Sequence, residues 1–577
     1  MSAAIAPIRY TTSMLDGFDP HTIADEALRR VVLDLMNQIE ELTATVRRQA
    51  DEIQRLRDDN NRLNGEQGKP HILPNQPPKP VSSEAERAVP KSRTKRSKLA
   101  TLPIDRTEIL RVDRTTLPPD AQFKGYQRVV VQDIRLTTDT VCFRKETFYS
   151  PSEHRTYLAD VPPGFEGHFG PQVKALVLTL AFESGMSEPI IHTFLSLAGL
   201  DISAGQISTM LLQQHATFHA ERTAILAAGL ASSPWQHIDT TATRVNGVNQ
   251  ECHGLCNPLY TVSTTLPQRD RLHVLDGLRG GAPRQFRLDV TAERLTRLMD
   301  VPARDRNILA PLPRDTMLDA AQIAAFLAGP GHRFKPVTRK RIMDALAIAA
   351  YHAQRAPPYP IVRVLIGDDA PQWAMLTEEL ALCWVHDARA YKKLTPQFPH
   401  HQTALDDFLT AYWTYYRELL AYRQAPSASE ALRLRAEFTR LFATVTGYAA
   451  LDARIALTAE KHTGLLLVLV HPEIPLHNNP AELGARRRVR KRDMRFGPRS
   501  DAGAQAWDTF QTLVATAKKL DVNVYAYFVA RIRHDATVPR LADRIQERAV
   551  GMALGASWTP RPPRPDWKPV ELSMWHG

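Results

Sequence analysis

The sequence is poor in cysteine and has no long apolar run. Four cysteines occur among 577 residues, too few for a disulfide framework, which indicates a reducing compartment. The longest apolar run, GLLLVLV at residues 464–470, is far shorter than the roughly 20 residues that span a bilayer. The N-terminus lacks the basic head and apolar core of a secretory signal. We therefore expect a soluble cytoplasmic protein without a membrane partner.

Positive charge is in excess. The net charge is +11 and the isoelectric point is about 9.4. This balance favours a polyanionic partner, with nucleic acid as the first candidate, although many soluble proteins share it. The apolar fraction of 43% suffices for a globular interior, and the length predicts two or three domains joined by linkers.

Residues 23–64 follow a heptad pattern, preceded by a flexible segment over 1–22. The heptad positions a and d are Val32, Leu35, Ile39, Leu42, Val46, Gln49, Ile53, Leu56, Asn60 and Leu63. β-branched residues at a with leucine at d favour a parallel two-stranded coiled coil, which predicts a homodimer or a higher oligomer. The alternative is an amphipathic helix packed on its own domain.

Three further segments precede the largest domain. Residues 65–100 form a proline-rich and basic linker that ends in KSRTKRSK, either solvated or in contact with phosphate. Residues 101–160 alternate in QRVVVQDIRL and DTVCFRKETFYS and predict a small β module. Residues 161–232 predict short helices with Ser203 capping one of them. That arrangement is compatible with a helix-turn-helix DNA reader or with ordinary packing.

Residues 233–535 predict an α/β domain, followed by a tail over 536–577. PWQHIDTTATRV and LYTVSTTL are typical of strands, and RDRLHVLDGL is a possible third strand. The stretch from YPIVRVLIG to DARAYKKL predicts strand, turn, helix, strand and helix. Helical insertions are expected near 292–354 and 401–462. Strands that alternate with helices imply a layer with some parallel pairing.

Three acids of this domain invite a chemical interpretation, each against a structural alternative. Asp239 lies in a predicted strand, where a buried carboxylate is costly unless it is paired or binds metal, but an edge strand would expose it. Asp368 ends another strand, where α/β sheets place ligands, although Asp368 or Asp369 could cap a helix. Glu482 fits a capping box that begins at Asn479.

A dense basic run follows Glu482. Its members are Arg486, Arg487, Arg488, Arg490, Lys491 and Arg492. They would cover more than one side of a helix, which is broader than an ordinary solvated face. Three convergent acids could hold two divalent cations for phosphoryl displacement, and the basic residues would then hold a phosphate backbone. This predicts an acid that binds metal beside bases that bind DNA.

The motifs that carry this pattern are HIDTTATRVNG, LIGDDAPQW, LCWVHDARAYKKL, IPLHNNPAELGARRRVRKRD and FGPRSDAGAQAWDTFQTL. With them the chain resembles the bacterial DDE transposases of the insertion-sequence-sixty-six type over most of its length. The resemblance implies a ribonuclease-H-like fold with helical insertions. It also implies that Asp239, Asp368 and Glu482 bind two Mg²⁺ or Mn²⁺ ions and catalyse the reaction. Asn478, Asn479 and His386, with Cys383 and Trp384, match supporting positions.

The chain departs from the resemblance at one point. Many relatives carry a cysteine-based zinc module before the catalytic domain, but Cys142 is the only cysteine between the coil and Asp239. Zinc is therefore not expected there. The sequence CHGLC offers Cys252, His253 and Cys256 as ligands, with buried thiols as the alternative and Cys383 as a further thiol that could join them in space.

The sequence thus predicts a bacterial insertion-sequence transposase, associated with the nucleoid when bound to DNA. It would hydrolyse the phosphodiester at transposon ends and transfer the freed strand into target DNA. The alternatives are a metal-dependent nuclease without strand transfer, and a non-catalytic regulator or decayed transposase that binds DNA. The end sequences and any need for accessory proteins of the same element are not encoded in readable form.

Overall fold

The computed structural model describes residues 20–63 and 102–558, apart from 135, 214, 331 and 355–359. Most of the predicted flexible segment 1–22, the predicted linker 65–100 and the tail beyond residue 558 lie outside the described residues. Within the described ranges, no helix combines the length and the apolar character that a membrane crossing requires.

Strands and helices occur in the following order along the described chain. The strands are β1 (Thr147–Ser150), β2 (Arg155–Leu158), β3 (Trp235–Val245), β4 (Val248–Cys256), β5 (Thr261–Leu266), β6 (Gln285–Arg287), β7 (Met317–Asp319), β8 (Val364–Gly367) and β9 (Glu379–Leu382). The helices before β8 are α1 (Glu26–Leu63), α2 (Pro171–Phe182), α3 (Glu188–Leu197), α4 (Ala204–Leu212), α5 (Ala216–Ala231), α6 (Arg271–Leu278), α7 (Val290–Leu298), α8 (Ala303–Asn307), α9 (Ala320–Leu327) and α10 (Pro336–His352). The later helices are α11 (Trp384–Tyr391), α12 (Pro399–Gln424), α13 (Ala428–Leu441), α14 (Ala449–Glu460), α15 (His462–Leu465), α16 (Asn479–Arg495), α17 (Asp501–Lys519), α18 (Val524–Ile532) and α19 (Leu541–Gly551).

A mixed five-stranded sheet lies at the centre, in the order β5-β4-β3-β8-β9. The pairs β3–β4 and β4–β5 are antiparallel, whereas β3–β8 and β8–β9 are parallel. Asn246 and Gly247 join β3 to β4 with φ of 47° and 77°. Two successive positive φ values are those of a type I′ turn, whose twist suits a hairpin. The mixed α/β class predicted from the sequence is confirmed.

Both faces of the sheet are covered. Because side chains alternate along a strand, Ile238 of β3 faces the large core that includes α5 and α17, while Trp235 faces a small cluster with Leu467. The approach of α5 is close: a Cβ at Gly229 would lie 2.5 Å from the ring of Tyr260. Only glycine therefore lets this helix settle on the sheet edge.

Helices α12 to α14 build a separate aromatic core beside the sheet. Trp384, at the start of α11, is fully buried there against Tyr412 and Tyr415. Its indole N–H donates to the carbonyl oxygen of Leu465 at 2.9 Å. The buried indole thus fixes α11 between the sheet and this helical insertion.

Helix α1 packs on that insertion through one side. Met36 and Glu40 are buried, and Glu40 Oε1 accepts from the backbone N–H of Gln397 at 2.6 Å and lies 3.1 Å from His401 Nδ1. The heptad stripe lies on another side and is exposed; Leu42, for example, is 66% exposed. Intramolecular packing therefore occurs, but it leaves the predicted coiled-coil surface uncovered in the described chain.

The predicted β module over 101–160 is reduced to one hairpin. β1 and β2 pair between residues 147 and 158, and QRVVVQDIRL contains no strand among its described residues. Its apolar side chains have no core to pack against: Val131 is 81% exposed. The strand prediction for this stretch is wrong because alternation yields a strand only where a partner and a packing surface exist.

Two local predictions in the α/β domain are also wrong. RDRLHVLDGL is helix α6 rather than a strand, because the Asp270 side chain accepts from the His273 N–H at 3.1 Å and caps it. The residues after Asp369 form turns instead of a helix. There Trp373 is buried and its indole N–H donates to Asp368 Oδ1 at 2.6 Å.

Arg488 was predicted to contact DNA, and that prediction is wrong because its side chain is buried. Its guanidinium donates to Asp508 Oδ1 at 3.2 Å and to Thr265 Oγ1 at 2.9 Å, and it lies over the Trp507 ring at 4.8 Å. Arg488 itself is 0% exposed. The residue ties α16 to α17 and β5.

We expect Arg488→Met to lower the free energy of unfolding by about 3–5 kcal/mol, because it leaves Asp508 buried without its cation. The exposed neighbour provides a matched control: Arg490→Met should change stability by no more than about 0.5 kcal/mol. Urea unfolding followed by tryptophan fluorescence measures both. Equal stability of the two variants would contradict the assigned role of Arg488.

Candidate active site

The first two acids meet at the parallel strand pair. In the register of β3 and β8, Trp235 pairs with Val364 and His237 with Ile366. Continued by two residues, this register sets Asp239 beside Asp368, directly after the last residue of β8. The sequence placed Asp368 at the carboxyl end of a strand, and the structure brings Asp239 to the same edge.

Asn478 connects the third acid to these strands. Its side-chain amide donates to the carbonyl oxygen of Ile238 at 2.7 Å, and its Oδ1 lies 2.9 Å from His237 Nδ1. Its backbone N–H donates to Cys383 Sγ at 3.3 Å. Asn478 is the N-cap residue of α16, which carries Glu482 in its first turn. The start of this helix is thereby fixed one residue away from Asp239.

The capping-box alternative for Glu482 is wrong. Asn479 is the first residue of α16 rather than its cap, and no side-chain hydrogen bond caps the helix. Glu482 instead turns towards α11, where Arg389 donates to its Oε2 at 2.7 Å. Its other oxygen, Oε1, is buried and has no hydrogen-bond donor within the described chain. The capping box requires Asn479 as the N-cap, but the helix begins one residue earlier and its N-cap is Asn478.

His386 lies between the acids. Its Nε2 is 3.9 Å from Asp368 Oδ2, and its Nδ1 is 3.7 Å from Glu482 Oε1. Both separations exceed a hydrogen bond, so the ring faces the two carboxylates without binding either one. The sequence predicted a supporting position for His386, and the structure places it at the point where Asp368 and Glu482 approach.

The pKa values of Asp239 and Glu482 shift in opposite directions. Burial raises the pKa of Asp239 to about 6; the N–H of Thr240 opposes this change, and the charges of Asp368 and Glu482 add to it. Burial also opposes the ionisation of Glu482, but His386 and Arg389 outweigh it and lower its pKa to about 2. Near pH 6 the site therefore holds Glu482 as an anion while Asp239 still exchanges its proton.

The donor set suits a hard cation in part. Three carboxylates are the ligands that Mg²⁺ and Mn²⁺ prefer, and the buried Oε1 of Glu482 is free to accept. Among the described residues, however, no three His, Cys, Asp or Glu side chains are close enough together to enclose a metal ion. The three carboxylates are suitable ligands for a hard cation, but Arg389 holds the Glu482 carboxylate towards α11.

The basic run divides into three environments. Arg486, Arg487 and Arg490 are exposed, whereas Arg488 is in the core. Lys491 is half-buried, and burial lowers its pKa to about 7. Arg492 donates to the carbonyl oxygen of Ala242 at 2.6 Å and so contacts β3. Three of the six predicted DNA-contacting residues remain fully open to a ligand.

Sequence reasoning assigned no role to Trp373 and Arg389, although both lie in the quoted motifs. Trp373 holds one oxygen of Asp368, and Arg389 holds one oxygen of Glu482. A spacing signal existed for Arg389, because residues three apart on a helix share a face and His386 precedes it by three. Asp369, predicted as a possible cap, forms an ion pair with Lys461 at 2.5 Å.

The CHGLC residues lie on two faces of β4. Cys252 and Cys256 are buried, and His253 points to the opposite face, where its Nε2 lies 2.9 Å from the carbonyl oxygen of Gln268. Cys383 is a separate buried thiol at the N-cap of α11. This arrangement corresponds to the buried-thiol alternative for Cys252 and Cys256.

Comparisons with known proteins locate the family resemblance. Residues 371–506 match the family described as "Transposase IS66 family". This segment contains Glu482, His386 and Arg389, and it begins after Asp239 and Asp368. The chain is also 29% identical over 314 residues to "Uncharacterized protein y4jO" of Sinorhizobium fredii (strain NBRC 101917 / NGR234). That match covers 54% of this chain and 95% of the relative.

No solved structure matches the chain. The resemblance recognised in its motifs is nevertheless confirmed by the family match, which falls on the helical insertion, the glutamate and the basic helix. Residues 371–506 of the chain are therefore similar to the IS66 transposase family.

Proposed function

We propose that the protein is a DNA transposase that cuts the phosphodiester at transposon ends and joins the freed strand to target DNA. The observation that carries the proposal is the approach of Asp239, Asp368 and Glu482 from three elements to one sheet edge. The order and directions of the five strands are compatible with a ribonuclease-H-like domain. The family match at 371–506 supports the same activity.

Asp239, Asp368 and Glu482 would hold two Mg²⁺ or Mn²⁺ ions, which when bound activate the nucleophile and stabilise the leaving oxygen. The protein's own groups prepare this arrangement. Trp373 orients Asp368, Asn478 orients the helix of Glu482, and Arg389 keeps Glu482 ionised. To reach a cation, Glu482 would still have to turn from Arg389 towards the two aspartates, because no three acidic, histidine or cysteine side chains enclose a metal position among the described residues.

Exposed arginines on α16 supply the DNA contacts. Arg486, Arg487 and Arg490 lie on the helix that carries Glu482, so a strand held by them passes the acids. The short helices α2 to α5 remain the predicted reader of the transposon ends, with Ser203 capping α4 through the Gln206 N–H at 3.2 Å. The exposed stripe of α1 would pair two protomers, so that two ends can be brought together.

Two alternatives make different predictions. A nuclease would cut transposon ends without forming joined product. A non-catalytic DNA-binding protein would need no metal ligands, yet one buried oxygen of Glu482 lacks a hydrogen-bond donor in the described chain, which is unfavourable unless a ligand compensates it. This observation disfavours the non-catalytic alternative, and the family match at 371–506 favours the transposase over the nuclease.

We expect Glu482→Gln to reduce strand transfer by more than about 100-fold and to weaken Mn²⁺ binding, because the amide cannot replace a carboxylate ligand. Asp239→Asn and Asp368→Asn should abolish Mn²⁺ binding. Strand transfer is measured with the terminal sequences of the element that encodes the chain, and Mn²⁺ binding by calorimetry.

Asp493→Asn is the matched control, since Asp493 is an exposed acid on the same helix. It should retain both activities. Full strand transfer by a folded Glu482→Gln variant would refute the proposed function. Cleavage of the ends without joined product in the wild type would favour the nuclease instead.

Mn²⁺ affinity should rise with pH up to about 6 and level off above it. Asp239 binds a proton below its raised pKa of about 6, and that proton competes with the cation by about tenfold per pH unit. Glu482, with a pKa of about 2, does not titrate in this window. Calorimetry at several pH values measures the profile.

His386 also faces the acids, so its contribution must be separated from that of Asp239. His386→Gln should keep the rise towards pH 6. If the rise disappears in His386→Gln, the pH dependence belongs to the imidazole and the assignment to Asp239 is wrong.

The α1 stripe should mediate dimerisation. Leu42→Asp places a charge at the centre of the exposed apolar stripe and should convert dimers to monomers, as measured by sedimentation equilibrium. Glu41→Lys changes an exposed residue outside the stripe and should leave the dimer intact. A wild type that is monomeric throughout the measured concentration range would contradict the prediction.

A further inference from the structure

A cavity of about 230 Å³ lies beside the acids, at the seam between α11 and α14. Its charged walls come from both helices and from the loop that follows β8. The charged or titratable lining residues are Asp369, Cys383, His386, Asp387, Arg389, Lys393, Arg454 and Lys461. The cavity is separate from the carboxylates but shares a wall with them.

The shared wall is one face of α11 and its extension. His386, Arg389 and Lys393 follow one another in steps of three and four, which places them in a row along a helix. The first two contact the acids: His386 faces Asp368 and Glu482, and Arg389 binds Glu482. The row therefore leads from the candidate active site into the cavity.

The cavity carries surplus positive charge. Arg389, Lys393, Arg454 and Lys461 line it against two carboxylates. Asp387 pairs with Arg454 and also accepts from Tyr412, and Asp369 pairs with Lys461.

Lys393 is the cation that remains. It is exposed at the rim, and no ion pair to it occurs among the described residues. Arg389, Arg454 and Lys461 are each paired with a carboxylate, so Lys393 adds one uncompensated positive charge, which a bound anion would neutralise.

We propose that this cavity binds a backbone phosphate of the DNA strand, close to the phosphodiester that the acids attack. The inference rests on the proposed function and specifies where its substrate is held. Guanidinium and ammonium groups are the usual protein partners of phosphate, and the volume accommodates a phosphate group with part of its sugar. A stacked base is disfavoured, because no Phe, Tyr or Trp lines the cavity among the described residues, and the imidazole of His386 faces Asp368 and Glu482.

The position of the cavity indicates that a phosphate contact there would position the DNA strand. A phosphate held between Arg389 and Lys393 would fix the strand on the side of α11, while Arg486, Arg487 and Arg490 hold it on the side of α16. Glu482 on α16 and Asp368 after β8 both face His386 of α11. Anchoring at both sides restricts which phosphodiester reaches Asp239, Asp368 and Glu482, and such positioning lowers the entropic barrier of the reaction.

Site-directed crosslinking tests the proposal. Lys393→Cys and Lys392→Cys are made in a Cys142→Ser background, because Cys142 is the exposed native thiol and the other three are buried. The probe is a mixed-sequence DNA duplex that carries thiol tethers on successive phosphates of one strand. Lys392 is the matched control: it is also exposed, but it lies towards Trp413 and does not line the cavity.

We expect a disulfide crosslink at position 393 in at least about tenfold higher yield than at position 392. In parallel, Lys393→Ala should reduce the salt dependence of DNA binding by about one phosphate contact, a slope change of about 0.9, whereas Lys392→Ala should leave it unchanged. Fluorescence anisotropy over a salt series measures the slopes.

Equal crosslinking at the two positions, with an unchanged slope for Lys393→Ala, would overturn the cavity proposal. If Arg487→Ala still weakened DNA binding in that case, the proposed function would stand without it. Failure of the wild type to bind the duplex at all would overturn both.

Discussion

The hydrogen bonds of the buried Asn478 side chain determine the geometry of the candidate site. One amide bridges β3 through Ile238 and His237, while its backbone N–H reaches Cys383 at the head of α11. Strand β3 and helices α16 and α11 are therefore joined at one buried residue, which is 2% exposed. Removing a partner from such a network leaves buried polar groups unsatisfied, at a cost of roughly 1–3 kcal/mol each. The acids lie within a few residues of this junction, so their relative positions depend on it.

The same packing accounts for the unequal acids. Asp239 lies in β3 and receives a single backbone N–H, from Thr240, so burial dominates and its pKa rises to about 6. Glu482 is covered too, but it faces α11, where Arg389 and His386 reverse the effect and lower its pKa to about 2. The pKa values of these two carboxyls therefore shift in opposite directions, because Glu482 faces the cationic side chain of α11 and Asp239 does not. A cation bound here would compete with a proton at Asp239 and with Arg389 at Glu482, which are two different kinds of competition.

Sequence reasoning worked where the deciding contacts are local or periodic. Strand β8 is a continuous apolar run that ends at Gly367, just before Asp368, and its type and C-terminal boundary could be predicted from those residues. Sequence reasoning failed where a contact with a residue distant in the sequence determines the local structure. The local spacing at Asn479 fits a capping box. Glu482 instead accepts from Arg389, which is distant in the sequence. QRVVVQDIRL has the alternation of a strand and lacks the neighbour that would make it one. The burial of Arg488 depends on Asp508 and Thr265, on elements whose packing no local pattern reveals.

The basic run on α16 shows why charge density alone overestimates a DNA-binding surface. A helix turns by about 100° per residue, so seven consecutive positions point in nearly every direction. Arg488 points into the core, Arg492 towards β3, and Lys491 to a half-buried place where its pKa falls to about 7. Arg495, one turn further, donates to Ala181 on α2. The buried cations fasten the helix on several sides, and this attachment holds Glu482 and the exposed arginines in a fixed relation to the sheet. The run therefore both anchors α16 and presents positive charge. The sequence does not separate these two tasks, because both use the same residue types.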